Sequence, residues 1–261
     1  MEIITNRIAE AYQPPPNVAP NNLLNKALFS LRLFLDLQFS TQYADVKKLL
    51  SKAKNKVLEV GCGSQPYRHL IKQQLEYYTI DWVGSHEHFK YKEKNVMYYD
   101  GKTFPFREGV FDFVFHTEVL EHVYDLKLFF EECYRVLSVT GAMFFTIPFA
   151  ARYHYIPYDY WRMTPASIKK ILESVNFKNT IILTRGNDIA VSMYKLNSVF
   201  FRIILRKIKN PILKVLNFIF FTVLFIIPII ILTIIGHLSI LMKIGSPDDC
   251  LGYTVYCNKK E

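Results

Sequence analysis

Three groups of residues in this 261-residue chain have the types and spacing to do chemistry. In Val57-Leu58-Glu59-Val60-Gly61-Cys62-Gly63-Ser64 an apolar run ends in an acid and two glycines. Glycine admits backbone angles closed to other residues, and the free N–H groups of a helix start point at whatever binds there. Twenty residues after Gly61, Asp81 closes a second apolar run, Tyr77-Tyr78-Thr79-Ile80, where a nucleotide fold places the carboxylate that holds a ribose. Pro66 stands where a dinucleotide fingerprint needs its third glycine, so the expected ligand is not NAD.

The second group is Glu118, Glu121 and His122, whose i, i+3, i+4 spacing puts all three side chains on one face if the segment is helical. His122 is then a candidate general base, as are His116 and His154. The competing reading is a helix start whose acids complement the dipole. The third group is the aromatic stretch Phe149–Thr164. There Tyr158, Tyr160, Trp161 and Arg162 are candidates to wall an acceptor site, with His154, Asp159 and Arg162 orienting its polar groups. Alternatively the loop packs on the N-terminal helices. Thr164 followed by Pro165 marks a helix start, which hangs this loop over one edge of the fold.

The elements that must position these groups alternate. Short apolar strands at 56–60, 77–80, 96–99, 111–115, 142–147 and 179–184 are separated by helical segments, a rhythm that predicts a doubly wound parallel sheet with ligands at the carboxyl ends of its strands. Residues 1–20, with Pro14-Pro15-Pro16, read as an extended, poorly ordered lead. Residues 21–53 read as one or two helices that cover the sheet or its ligand. Residues 54–187 and 248–261 make the ligand-binding domain, interrupted by an insertion at 188–247 that far exceeds an ordinary connection.

Between Lys214 and Lys243 no Asp, Glu, Lys or Arg occurs, which is long enough for a transmembrane helix. If 179–184 and 252–257 share one sheet, both flanks lie on one side of a membrane, and a single crossing would separate them. Pro228 therefore suggests a hairpin or kinked helix over 212–243 that dips into one leaflet with both basic ends cytoplasmic. A true span and an apolar cap within a soluble oligomer are the alternatives. The net charge of +9 calls for an anionic partner, and the cluster Arg202, Arg206, Lys207, Lys209 and Lys214 beside the apolar run points to anionic lipid rather than nucleic acid. Four cysteines at 62, 133, 250 and 257 show no metal spacing, consistent with a reducing, cytoplasmic setting.

The Glu59–Gly63 motif resembles the first motif of class I S-adenosylmethionine-dependent methyltransferases of the type 11-like group, and further matches follow in that family's order over Lys54–Asn187. Asp81 resembles the ribose acid, Asp100-Gly101 the adenine-contacting segment, Phe111–Phe115 the fourth strand, Glu118–Val123 the segment after it, and Arg135–Gly141 the helix and turn before strand five. The resemblance implies a Rossmann-like sheet of six parallel strands and one antiparallel strand, with S-adenosylmethionine held by Glu59, Gly61, Cys62, Gly63, Asp81, Asp100, Gly101, His116 and Thr117. Gln65 departs from the third glycine that many members carry. Glu118-x-x-Glu121-His122 also resembles the divalent-metal motif of ubiquinone-pathway and small-RNA 2′-O-methyltransferases, implying Mg²⁺ or Mn²⁺. The segment from His154 to Thr164 is similar to one in bacterial methyltransferases linked to surface-glycan and lipid-carrier assembly.

These readings predict a methyltransferase on the cytoplasmic face of a membrane, attached through 212–243, that O-methylates a lipid-linked sugar or other amphipathic acceptor. A quinone-pathway O-methyltransferase and a catalytically silent, cofactor-binding membrane scaffold are the rivals.

Overall fold

The computed structural model describes residues 19–85 and 95–260. Nearly all of the expected extended lead therefore lies outside the described residues.

Seven strands form one sheet in the order β3-β2-β1-β4-β5-β7-β6: β1 Lys56–Val60, β2 Glu76–Trp82, β3 Met97–Tyr99, β4 Phe111–Thr117, β5 Leu137–Pro148, β6 Lys178–Arg185 and β7 Gly252–Asn258. Strands β1 to β5 pair in parallel, and β7 runs antiparallel to both β5 and β6. The order reverses between β1 and β4, so the loops after these two strands diverge and leave a crevice. Residues alternate between two faces. On β4, Phe113 and Phe115 pack with Phe39, Val46 and Leu50 of helix α2 (Leu37–Leu50), while Val114 packs with Phe129, Phe130 and Leu172 of α3 (Leu126–Val136) and α4 (Pro165–Ser174). Strands buried on both faces must be apolar almost throughout, which is why these segments read as continuous hydrophobic runs.

Strand β5 is longer than its sequence pattern predicts. Phe111 pairs with Leu137 and Phe113 with Ala142, so residues 138–141, expected as a turn, are absorbed as an irregularity within the strand. Thr164 caps α4 as expected, accepting from the Ser167 backbone N–H with Pro165 in the first turn.

The N-terminal region forms two helices, α1 (Leu23–Leu35) and α2, joined at Asp36, whose side chain accepts from the Phe39 N–H. Helix α2 covers the sheet along its length, and Phe29 of α1 joins the same buried cluster. Helix α1 buries Phe29 on its inner face and leaves Leu23, Leu24, Leu28 and Leu31 exposed on its outer one.

The insertion is a helical hairpin built from α5 (Asp188–Ile204) and α6 (Pro211–Leu241). Polar rungs fix its antiparallel register. Asn187 accepts from Ser239 Oγ (3.1 Å), Asn197 Nδ2 donates to Thr233 Oγ1 (2.9 Å), and Asn217 Nδ2 donates to the carbonyls of Ile203 and Ile204 (3.1 Å each). The expected hairpin within 212–243 does not form. Pro228 sits inside one continuous 31-residue helix, about 46 Å long at the usual rise. Its two ends are thus far apart: Ser239 and Ile244 meet Asn187 just beyond β6, while Lys214 lies at the distant tip with the basic cluster. Gly236 lets α6 approach Leu37 of α2, since a Cβ there would collide with the leucine.

Candidate functional site

A cavity of about 660 Å³ opens over the switch point between β1 and β4. Its floor is the loop after β1. Gly61 and Gly63 both adopt positive φ (67° and 52°), and a side chain on Gly61 would strike Val119. The Gly63 N–H donates to Asp81 Oδ2 (2.9 Å) and the Trp82 N–H to Asp81 Oδ1 (2.8 Å), so the carboxylate at the end of β2 is fixed at the cavity wall. Asp100 accepts from the backbone of Lys102 and Thr103, hydrogen bonds that hold its carboxyl below the usual range and shape the turn that carries Gly101 beside Trp82. Cys62, Asp100, Gly101 and Thr117 line the same space.

Two residues of the expected cofactor set lie elsewhere. Glu59 is buried behind the glycine loop and takes a hydrogen bond from the Tyr77 hydroxyl; burial pushes its carboxyl up to about 8. His116 points into the sheet core, stacked on Phe145 (centroids 4.8 Å apart), and burial lowers its pKa to about 3. Neither side chain is part of the cavity lining. Period-2 alternation places Thr117, the neighbour of His116, on the cavity side.

The expected helical face of Glu118, Glu121 and His122 does not exist. Glu118 has φ 52° and Leu120–His122 is a single 3₁₀ turn, so Glu118 is turned away from the other two side chains. Glu118 pairs with Arg185 (2.8 Å) and takes a bond from Gln38 Nε2 (3.2 Å). Arg185 itself is fully enclosed, reaching also the Ile147 carbonyl, and occupies the space left by the missing side chain of Gly252. Glu121 instead converges with His122 and His154, with one donor atom from each lying within 4.8 Å of the others. Both Glu121 oxygens are buried without a hydrogen-bond partner, and burial, then the nearby Glu118 charge, holds the carboxyl well above its usual pKa.

Outer partners set the imidazoles. His122 Nδ1 lies 2.6 Å from the Tyr158 carbonyl, which can only accept, so Nδ1 carries the proton and Nε2 the lone pair. Burial lowers the His122 pKa to about 4, so this ring is neutral at pH 7. His154 Nδ1 lies 3.0 Å from an Asp159 oxygen and 3.0 Å from the Arg152 carbonyl, which likewise leaves Nε2 as its acceptor atom. Burial raises the Asp159 carboxyl, but hydrogen bonds from His154 and Arg162 outweigh that and hold it ionised far below its ordinary pKa. Arg162 grips Asp159 with both terminal nitrogens (2.7 and 2.8 Å).

The aromatic loop divides. Tyr158 and Tyr160 line the cavity, and Tyr158 meets Trp82 edge-on across it (5.6 Å). Trp161 turns away to donate Nε1–H to the Val123 carbonyl (2.8 Å), and Arg162 serves Asp159 instead of facing the cavity. The motif reading missed the roof: Arg32, Asp36, Gln38 and Gln42 from the α1–α2 corner and Tyr194 from α5 complete the lining. An Asp between two helical runs was their one local signal, since it reads only as a cap.

Residues 58–145 match a family model described as a methyltransferase domain. An uncharacterized protein of Methanocaldococcus jannaschii is 29% identical over 121 residues, covering 43% of this chain and 51% of its own length, so the chain spans about half of that curated relative. An S-adenosylmethionine-dependent methyltransferase from Archaeoglobus fulgidus superposes with a TM-score of 0.51 at 17% identity over 89% of this chain and 99% of that one. Another, from Thermotoga maritima, gives 0.52 at 11% identity over 91% and 96%. The solved structures share the Rossmann-like methyltransferase fold, and the segment that matches the methyltransferase-domain model carries the glycine turn and Asp81.

Proposed function

We propose that the chain transfers the methyl group of S-adenosylmethionine to an oxygen of an amphipathic acceptor, such as a lipid-linked sugar, at the cytoplasmic face of an anionic membrane. The acceptor oxygen attacks the methyl carbon, the carbon–sulfur bond breaks with its electron pair returning to sulfur, and the acceptor proton passes to a base. His154 suits that last role: Asp159, held ionised, fixes its tautomer and stabilises the imidazolium that forms. The cavity supplies the rest by aligning donor and acceptor and excluding water.

The observation that carries the acceptor class is α6. It is long and apolar enough to cross a membrane, and only 11% of its most apolar window is buried by the protein. A freely soluble acceptor gives no reason for such a surface, and the basic cluster at its tip fits cytoplasmic anionic lipid. The test is label transfer from methyl-labelled S-adenosylmethionine into a total lipid extract and a water-soluble extract of the source cells. Label in the lipid phase supports the reading; label confined to the aqueous phase refutes the acceptor class, and release of no S-adenosylhomocysteine with either leaves the scaffold.

The orphaned Glu121 carboxylate favours a second use of the same cluster. Glu121, His122 and His154 make a carboxylate and two imidazoles whose far nitrogens are already held by a carbonyl and a carboxylate, as metal-ligating histidines commonly are. Such donors suit Mn²⁺ better than Mg²⁺, and a bound ion would orient an acceptor hydroxyl. Binding of Mn²⁺ followed by paramagnetic resonance and lost in Glu121→Gln would support the ion; an unchanged free-Mn²⁺ signal with the intact chain excludes it.

A further inference from the structure

The outer face of helix α1 is the part of the fold that neither the sheet nor the cavity explains. Leu24, Leu28 and Leu31 recur at i, i+4, i+7 and face outward, at 68%, 55% and 52% exposure. A surface stripe of leucines on a helix that has a core to pack against is a cost unless something covers it. Its position gives the clue. The last turn of α1 is fastened to α6: His237 Nε2 donates to the Phe34 carbonyl (2.9 Å), and the Phe34 ring stacks on His237 (5.9 Å). Around that junction α6 exposes Ile234, Leu238 and Leu241. The next residues after the α1 stripe, Arg32 and Asp36, line the cavity, as does Tyr194 of α5.

We propose that α1 and the α5–α6 hairpin form one docking surface for an anionic phospholipid bilayer, and that this surface sets the cavity mouth against the membrane so that the acceptor enters as a lipid. The inference rests on the membrane reading above and extends it to a second, separate element. Charge selects the bilayer over a second copy of the chain. From residue 189 to 247 there is no Asp or Glu, while Lys195, Arg202, Arg206, Lys207, Lys209, Lys214 and Lys243 are all cationic. Two copies meeting through this region would bring like charges together, whereas lipid phosphates neutralise them. An apolar helix face flanked by cations is also the composition of a helix that lies in the headgroup boundary.

The experiment uses the full chain with an environment-sensitive dye on single engineered cysteines at Leu28, Val223 and, as a reference away from both helices, Val139, which is 62% exposed. The four native cysteines are buried, so labelling is directed to the new site. With vesicles of phosphatidylglycerol and phosphatidylcholine, the dye should brighten and shift to the blue at positions 28 and 223 and stay unchanged at 139. Leu24→Ser/Leu28→Ser/Leu31→Ser should weaken vesicle binding at least tenfold and slow methyl transfer to vesicle-embedded lipid extract, yet leave S-adenosylmethionine affinity and transfer to detergent-dissolved extract within twofold. A response at 223 with none at 28 overturns the joint surface and leaves the membrane reading standing. No vesicle binding at all overturns both. A response at 28 that grows with protein concentration in the absence of vesicles assigns the α1 face to a second copy and overturns the lipid.

Discussion

Around Asp81 the cavity is shaped by backbone N–H groups that fix two carboxylates, Asp81 and Asp100, whereas around Glu121 it is walled by side chains that hold one another. On the first side, two glycines at positive φ set the loop and the Gly63 N–H sets Asp81, so each contact is local and its loss is local. On the second, Gln38 of α2, Glu118 after β4 and Arg185 of β6 meet in one buried network, and His154, Asp159 and Arg162 meet in another. The first kind of site is encoded by a short motif. The second is encoded by residues up to 147 positions apart and depends on the whole sheet being closed.

The largest effect should come from the network. Arg185→Ala removes an enclosed guanidinium and strands Glu118, so we expect a loss of about 3 kcal/mol in unfolding free energy, the range for breaking a buried pair from one side. Denaturant titration measures it. A loss under about 1 kcal/mol would mean that the network is dispensable, and the contrast between the two sides of the cavity would collapse.

Asp81→Ala should do the reverse, sparing the fold and weakening S-adenosylmethionine by about 1.5–3 kcal/mol in calorimetry, as expected for losing a charged hydrogen-bond partner. Unchanged affinity would remove Asp81 from the cofactor site.

The burial of His122 supplies a pH signature for the second side. Its folded pKa, about 4, lies below the unfolded value near 6.5, so the unfolded chain binds the extra proton in that window. Stability from this group is therefore complete above about pH 6.5 and lost as pH falls toward 4, by about 1.5 kcal/mol between pH 6.5 and 5. His122→Gln should flatten that part of the stability curve. A slope that survives the substitution would place the titration elsewhere.

What the sequence made legible follows the same division. Strand rhythm and the Glu59–Gly63 turn were readable because both are local patterns, and the final strand at 252–257 was readable because its alternation survives a long insertion. The shape of Glu118–His122 was not, since i, i+3, i+4 spacing implies a shared face only on a helix and this segment leaves β4 through a positive-φ residue. The hairpin of α5 and α6 escaped for a related reason. Pro228 reads as a break, but a proline costs a helix one hydrogen bond and some packing, and a long apolar helix braced by Asn197 and Thr233 one turn away tolerates that. Trp161 was placed in the acceptor wall by its neighbours in sequence, whereas its indole N–H found the Val123 carbonyl and turned it outward.

That last difference yields the smallest expected effect. Trp161 is at the rim, half-exposed, and bonded to backbone rather than to anything in the cavity. Replacing it with Phe keeps the ring and deletes the donor, so the Val123 carbonyl turns to water at a cost of about 1 kcal/mol, typical for one hydrogen bond. Transfer to lipid extract should stay within threefold, because Tyr158 and Tyr160, not Trp161, line the cavity. A tenfold loss of transfer with an unchanged melt would show the indole in the acceptor's path. The acceptor side would then extend past the cavity edge to the outer face of the loop, where Tyr124 also packs edge-on against Tyr160 (5.4 Å).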